Sequence, residues 1–368
     1  MTPAARLEPP FDLDRVPDAP AVFVIHLRGG EPYVSRTRLL RRRLRRLLSG
    51  STVAGRALRL GELAAAVDYE LAPSLLAALL RQYDLLEHYS PGAAAARLRL
   101  RPPVFLKVLL ANPWPRTAVS SRPGGASFCF GPFQNKSVAS RFEQELLDLF
   151  QVRRCQDDLD PSPAHPGCIY GEMGKCLRPC QQAVSAQEYA AETSRLLRFL
   201  ESRGRSLLDS AAAARDRASQ DLDFEHARLW HGRWLRIRGA ASLAGELAAP
   251  LDRLSGAAVL PSPSPGVLQI AVMLAGSWLP LCPFPVAPSG PAVSLDSRLR
   301  ELFASLAPPR LSLARRAQHV ALLAHWFFSA SRDAEWRAFT SLDDIPYRAL
   351  VRDISRIAAR AQGRLSRP

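Results

Sequence analysis

Lysine is nearly missing from this chain: Lys107, Lys136 and Lys175 are the three present in 368 residues, although lysine and arginine together number 49. Positive charge is therefore carried by arginine, a bias that a GC-rich genome also produces. Acidic residues number 34, which leaves a net charge of +15. An excess of this size favours polyanionic partners through phosphate contacts and counterion release. Long apolar runs are absent too. The longest, VLPSPSPGVLQIAVMLAGSWLPLCPFPV, is broken repeatedly by proline and excludes a membrane-spanning helix. The opening MTPAARLEPPFDL has no apolar segment after Arg6, so a cytoplasmic protein is expected. Internal repeats are absent. What is present in quantity is apolar residue, 47% of the chain, enough for two or three folded cores in a chain of this length.

Cysteine is scarce but clustered. Four of the six, Cys155, Cys168, Cys176 and Cys180, fall within twenty-six residues, separated by twelve, seven and three. Four thiolates close a tetrahedral shell around zinc or hold the corners of an iron–sulfur cube, and spacing alone does not separate the two. Disulfides are disfavoured without a secretory leader, and the remaining Cys129 and Cys282 sit singly in apolar, strand-like contexts.

In chain order, AVFVIHLRGGEPYVS (21–35) reads as two short strands about a Gly-Gly turn. TRLLRRRLRRLL follows, with Leu39, Leu40, Leu44, Leu47 and Leu48 at helical spacing and six arginines on the other faces. That helix is either a solvated basic face or a phosphate-contacting one. GASFCFGPF ends in a turn-making Gly-Pro before a helical run that delivers Cys155 to the cluster. SAQE (185–188) has capping-box spacing and opens a helix that continues through LLRFLESRGRSLLDSAAAARDRAS, after which FEHARLWHGRWLRIRG turns back as its hairpin partner. Beyond Gly239 a small antiparallel element precedes a helical tail built from SRLRELFASL, LARRAQHVALLAHWFFSASRD, EWRAF and IPYRALVRDISRIAARAQ. His319, His325, Trp326 and Trp336 are expected to be helix and core residues there.

Residues 17 to about 238 resemble the UvrC family, the excinucleases of bacterial nucleotide excision repair. The likeness rests on a GIY-YIG-like stretch from Pro17 to Leu48, on LLAALLRQYDLLEHYSP and PPVFLKVLLANPWPR, and on FCFGPFQNKSVASRFEQELLDLFQVRRC and CIYGEMGKCLRPC. It implies an α+β protein: a small GIY-YIG-like α/β domain (17–95), a middle domain with the four-cysteine cluster (96–184), a helical hairpin (185–240), a small β-containing element (241–295) and a helical tail (296–368). It also implies that Cys155, Cys168, Cys176 and Cys180 hold a four-iron four-sulfur cluster, with zinc as the alternative. Full-length members carry an RNase H-like nuclease and helix-hairpin-helix repeats in their C-terminal half. Neither a spaced carboxylate set nor Gly-x-Gly hairpins occur here.

Carried over position by position, the resemblance points to a degenerate nuclease. Phe23 stands at the catalytic tyrosine, Gln82 at the metal-holding glutamate and Ala94 at an asparagine, while Ser35 replaces a glycine. Tyr33, Arg36 and Arg43 remain as the residues implied to meet DNA phosphates. Hydrolysis of a phosphodiester needs a base and a metal, so the expectation is DNA binding beside nucleotide excision repair without cutting. Two alternatives stand: a divergent endonuclease using Asp84 or Glu87 with magnesium or manganese, or a non-catalytic repair scaffold. The hairpin resembles the motif that docks on the helicase component (UvrB-like), with Phe224, Glu225 and Ala227 matching, whereas His231-Gly232 replaces Arg-Asp and Trp230 and Trp234 replace aliphatic residues.

Overall fold

The computed structural model describes residues 5–48, 60–124, 127–287 and 293–365, and the fold is α+β. Four antiparallel strands open it: β1 (Ala5–Leu7), β2 (Ala21–Leu27), β3 (Tyr33–Thr37) and β4 (Ala64–Leu71), in the order β1-β4-β2-β3. Helix α1 (Leu40–Leu48) follows β3, α2 (Leu75–Tyr89) follows β4, and α3 (Ala94–Arg97) is a short turn. Alternation along β2 decides what covers the sheet. Phe23 and Ile25 join Leu40, Leu44 and Leu47 of α1 in one cluster, and Val22 points the other way, to Ala78 and Leu85 of α2. The arginines of α1 fall between its buried leucines, so its amphipathic pattern and its charge have the same origin.

Residues 104–250 build a second sheet from β5 (Val104–Leu109), β6 (Thr117–Ser120), β7 (Ser127–Phe133) and β8 (Ala249–Pro250), ordered β6-β5-β7-β8. Gly131-Pro132, expected to turn the chain, lies inside β7. A side chain at Gly131 would stand 2.8 Å from the Val104 carbonyl, so the glycine serves close strand approach rather than a turn. Helix α4 (Lys136–Leu147) packs Phe142 on Phe130, ring centroids 5.6 Å apart. After α5 (Ile169–Glu172) come α6 (Ala186–Glu201), α7 (Arg205–Gln220) and α8 (Phe224–Ser242). The capping box at Ser185 and Glu188 is formed. The helix expected to continue from it is two helices, because Arg203 (φ 53°) and Gly204 (φ 89°) take left-handed conformations that end α6. The middle domain and the hairpin, read separately from the sequence, share one core that runs from Leu106 through Phe150 and Phe199 to Ile237.

The remainder forms β9 (Ser255–Pro261), β10 (Val267–Leu274), β11 (Ser277–Trp278), β12 (Cys282–Pro285), α9 (Leu295–Ala304), α10 (Leu313–Phe327), β13 (Arg337–Phe339) and α11 (Tyr347–Leu365). EWRAF is therefore corrected from helix to strand: β13 pairs antiparallel with β9. A five-residue stretch is too short to nucleate a helix. As a strand it sends Phe339 into the core while Arg337 holds Asp353 of α11 through two hydrogen bonds of 2.7 and 2.9 Å. Trp326 and Trp336 are buried as expected, but His325 is exposed.

The chain divides into two compact units, Met1–Arg101 with Ser255–Pro309 and Ala321–Pro368, and Pro102–Leu254 with Arg310–Val320. Within the first, Asp333 accepts the Leu75 backbone N–H at the start of α2 (2.6 Å) and the Trp326 indole N–H (2.9 Å). Within the second, His319 is 9% exposed and its pKa is pushed down to about 4, by burial and then by Arg315. A depressed histidine contributes stability that is complete above its unfolded value near 6.5 and is lost as pH falls. About 3 kcal/mol should disappear between pH 6.5 and pH 4. Acid titration of His319→Leu should flatten that limb; an identical profile would place the acid sensitivity elsewhere.

Candidate functional site

Tyr33, Arg36 and Arg43, the residues expected to meet phosphate, lie on β3 and α1 beside β2. Register pairs Ile25 with Tyr33 and Phe23 with Ser35, so Tyr33 shares the α1 side of the sheet with Phe23, ring centroids 6.2 Å apart. Arg43 projects from α1 and donates from Nη2 to the Tyr33 hydroxyl at 3.2 Å. Arg36 pairs with Val22 and belongs to the opposite side. There burial pushes its guanidinium below its ordinary value, its Nη1 has no hydrogen-bond partner, and its charge lowers the pKa of His325 after desolvation of that ring. Of the three residues carried over as phosphate contacts, the structure brings two together.

Of the three positions that the resemblance assigns to catalytic groups, two are closed and Gln82 is half-buried. Phe23 and Ala94 are fully buried, and no set of three or more His, Cys, Asp or Glu side chains among the described residues is arranged to hold a metal ion. Glu87 is 8% exposed and accepts the Gly92 N–H at 3.4 Å, closing the turn after α2. Asp84 is exposed but lies two residues from Gln82, about 200° around the helix. Among the described residues, Gln82, Asp84 and Glu87 do not form a set arranged to hold magnesium.

The cysteines lie where α4 ends. Cys155 follows it, Cys168 is the N-cap of α5, Cys176 stands in the turn beyond, and Cys180 lies in a short 3-10 helix, Pro179–Gln181. All six cysteines of the chain are free. Burial pushes the Cys176 thiol up, against the Arg178 N–H donated to its sulfur at 3.4 Å, and charge on Cys168, Cys155 and Cys180 pushes it further. Burial and then Cys155 and Cys168 do the same to Cys180. The four thiols thus share one electrostatic field, although they are not drawn into a closed shell.

Sequence reasoning passed over the residue that decides what this field needs. Arg153 is 1% exposed, and its donors go to the carbonyls of Trp114 (2.9 Å) and Asp157 (2.8 Å) and to the Cys155 sulfur (3.4 Å). Its Nη2 is buried without a partner, and no carboxylate pairs with it among the described residues. A buried guanidinium lacking an anion costs several kcal/mol. Ionised thiolates held by a metal or cluster supply that anion, and in this respect the donor set fits the group.

Residues 104–199 match the family model for the UvrC/Cho excinuclease middle domain. In sequence the chain is similar to UvrC proteins. It is 25% identical to the UvrABC system protein C of Brucella abortus (strain 2308) over 308 residues, 82% of this chain and 50% of that protein. The protein of the same name from Saccharophagus degradans is 26% identical over 225 residues (60% and 37%), and that of Nitratidesulfovibrio vulgaris 28% over 227 (60% and 33%). The chain spans half or less of the length of these relatives. No solved structure matches it. Among the described residues no helix is long and apolar enough to cross a membrane.

On the α7–α8 hairpin, Phe224 (69% exposed), Leu222 and Leu229 are bare, Glu225 is exposed and Ala227 half-buried. Trp230 and Trp234 instead pack partly on the core, and Gly232 is accommodated within α8.

Proposed function

We propose that this chain is a DNA-binding protein of nucleotide excision repair whose nuclease-like domain grips phosphate without cleaving it. The observation that carries the reading is the Tyr33–Arg43 pair beside a buried Phe23: the phosphate-gripping half of the site is assembled, while the phenol and the carboxylate are gone. Arg43 keeps donors to spare beyond the one given to Tyr33, which suits a backbone phosphate. Cys155, Cys168, Cys176 and Cys180 hold an iron–sulfur cluster in this reading, and when bound it supplies a covalent staple across the loop from α4 to α6. Exposed Phe224 and Leu222 give the hairpin an apolar tip for a UvrB-like helicase partner.

Binding to a labelled duplex as a function of salt tests the proposal. Arg43→Ala should weaken binding and flatten the salt slope by about 1 unit, the share of one phosphate contact. A wild-type protein without measurable DNA affinity would overturn the reading.

A further inference from the structure

Helix α11 carries arginines at 348, 352, 356 and 360, each four residues from the last. All four are exposed. A four-residue step advances about 6 Å and turns about 40°, so the row extends about 18 Å along the helix and stays within a third of its circumference. The opposite face is occupied: Leu350 and Ile354 are fully buried in the cluster with Ile270, Phe303 and Phe339, and Val351 and Ile357 pack against it. The sole acidic residue of α11, Asp353, is 4% exposed and is consumed by Arg337 and by Arg356 at 2.8 Å. Arg348, Arg352 and Arg360 have no hydrogen bond or ion pair to any described residue.

Like charges at four-residue spacing repel. A solvated helix ordinarily interleaves acids to relieve this, and α11 does not. The uncompensated row therefore points outward to a ligand that brings regularly spaced negative charge. A lipid surface is disfavoured by geometry, because binding a basic amphipathic helix to a membrane requires its apolar face to enter the acyl boundary, and here that face is core. One strand of duplex DNA presents a phosphate about every 3.4 Å of axis, so successive arginines meet about every second phosphate. We infer that α11 is a second DNA-binding surface, which holds the backbone of a duplex through Arg348, Arg352 and Arg360, separate from the Tyr33–Arg43 pair. The inference rests on the DNA-binding reading above and extends it to a segment outside the family-model match.

The test is the salt dependence of binding to an undamaged duplex by the full chain with Arg348, Arg352 and Arg360 all changed to Gln. Glutamine keeps helix propensity, and the three sites are exposed. The slope of log affinity against log salt should flatten by about 2 to 3 units, with binding weakened roughly 10- to 100-fold near 0.1 M salt. The matching triple Lys variant should regain the wild-type slope, which separates charge from folding. An unchanged slope in the Gln variant, with wild-type binding intact, would overturn the inference and leave the Arg43 site standing. Equal loss in the Gln and Lys variants would overturn it too, since the effect would then be structural. Absence of wild-type binding would instead remove the DNA-binding reading itself.

Discussion

Changing Arg153 to Gln should lower the affinity of the protein for the proposed cluster by about 10- to 100-fold, equivalent to about 1.4 to 3 kcal/mol. The charge stands 3.4 Å from the Cys155 sulfur in a place solvent does not reach. At that distance in a buried site, electrostatic attraction between guanidinium and thiolate outweighs what the hydrogen bonds to neutral carbonyls contribute. Glutamine preserves part of the hydrogen bonding and none of the charge. Iron per chain, counted after anaerobic purification, should therefore drop, and absorption near ~400 nm should fade. The reduction potential of the cluster should move negative, since a nearby cation favours the more negative reduced form. Comparing thermal stability of loaded and chelator-stripped protein isolates the coupling. Unequal losses, larger when loaded, are expected. Equal losses would show that Arg153 is only a hydrogen-bonding strut. Colourless protein loaded with zinc would defeat the iron–sulfur assignment while leaving the four thiols as ligands.

A labelled, damaged duplex incubated with magnesium or manganese should be bound and not cut. Loss of a general base alone typically costs about 10²- to 10⁴-fold, and Gln82 stands where the resemblance places the metal-holding carboxylate. The nearby acids do not repair this. Glu87 is turned inward to the Gly92 N–H, and Asp84 projects about 200° away from Gln82 around the same helix. Nor should Phe23→Tyr with Gln82→Glu restore full cutting, because Phe23 is packed at zero exposure and the added hydroxyl would need room the core does not offer. Metal-dependent incision that vanishes with Asp84→Asn would overturn the pseudo-nuclease reading and make the chain a divergent endonuclease. The assay run with the helicase component of the same organism, against Phe224→Ala, reports on the hairpin as a docking site.

The local elements were legible because each is specified by neighbours in sequence. The strands Ala21–Leu27 and Tyr33–Thr37, the leucine-lined helix after them and the capping box at Ser185 follow from periodicity and side-chain chemistry that operate over a few residues. The cysteine cluster was visible for the same reason, as four thiols in one short segment. The break at Arg203-Gly204 was not, since a lone glycine in a helical pattern is compatible with either outcome until packing chooses.

By itself, then, the sequence determined the fold class, the UvrC resemblance and the four thiols, and it put Phe23, Gln82 and Ala94 at the positions that this resemblance assigns to a catalytic set. The tertiary structure decided the matters that depend on residues distant in the chain. Strand register sent Tyr33 and Arg36 to opposite faces, so only Tyr33 meets Arg43. EWRAF became a strand because β9 offered an edge and Asp353 a partner for Arg337. Arg153 became significant only once burial left it without a carboxylate. The arginines of α11 did so only once core packing consumed the apolar face and Asp353 was taken up by Arg337 and Arg356. Burial and pairing are properties of the assembled chain, and a residue's charge acquires a use only when they show which partner it lacks.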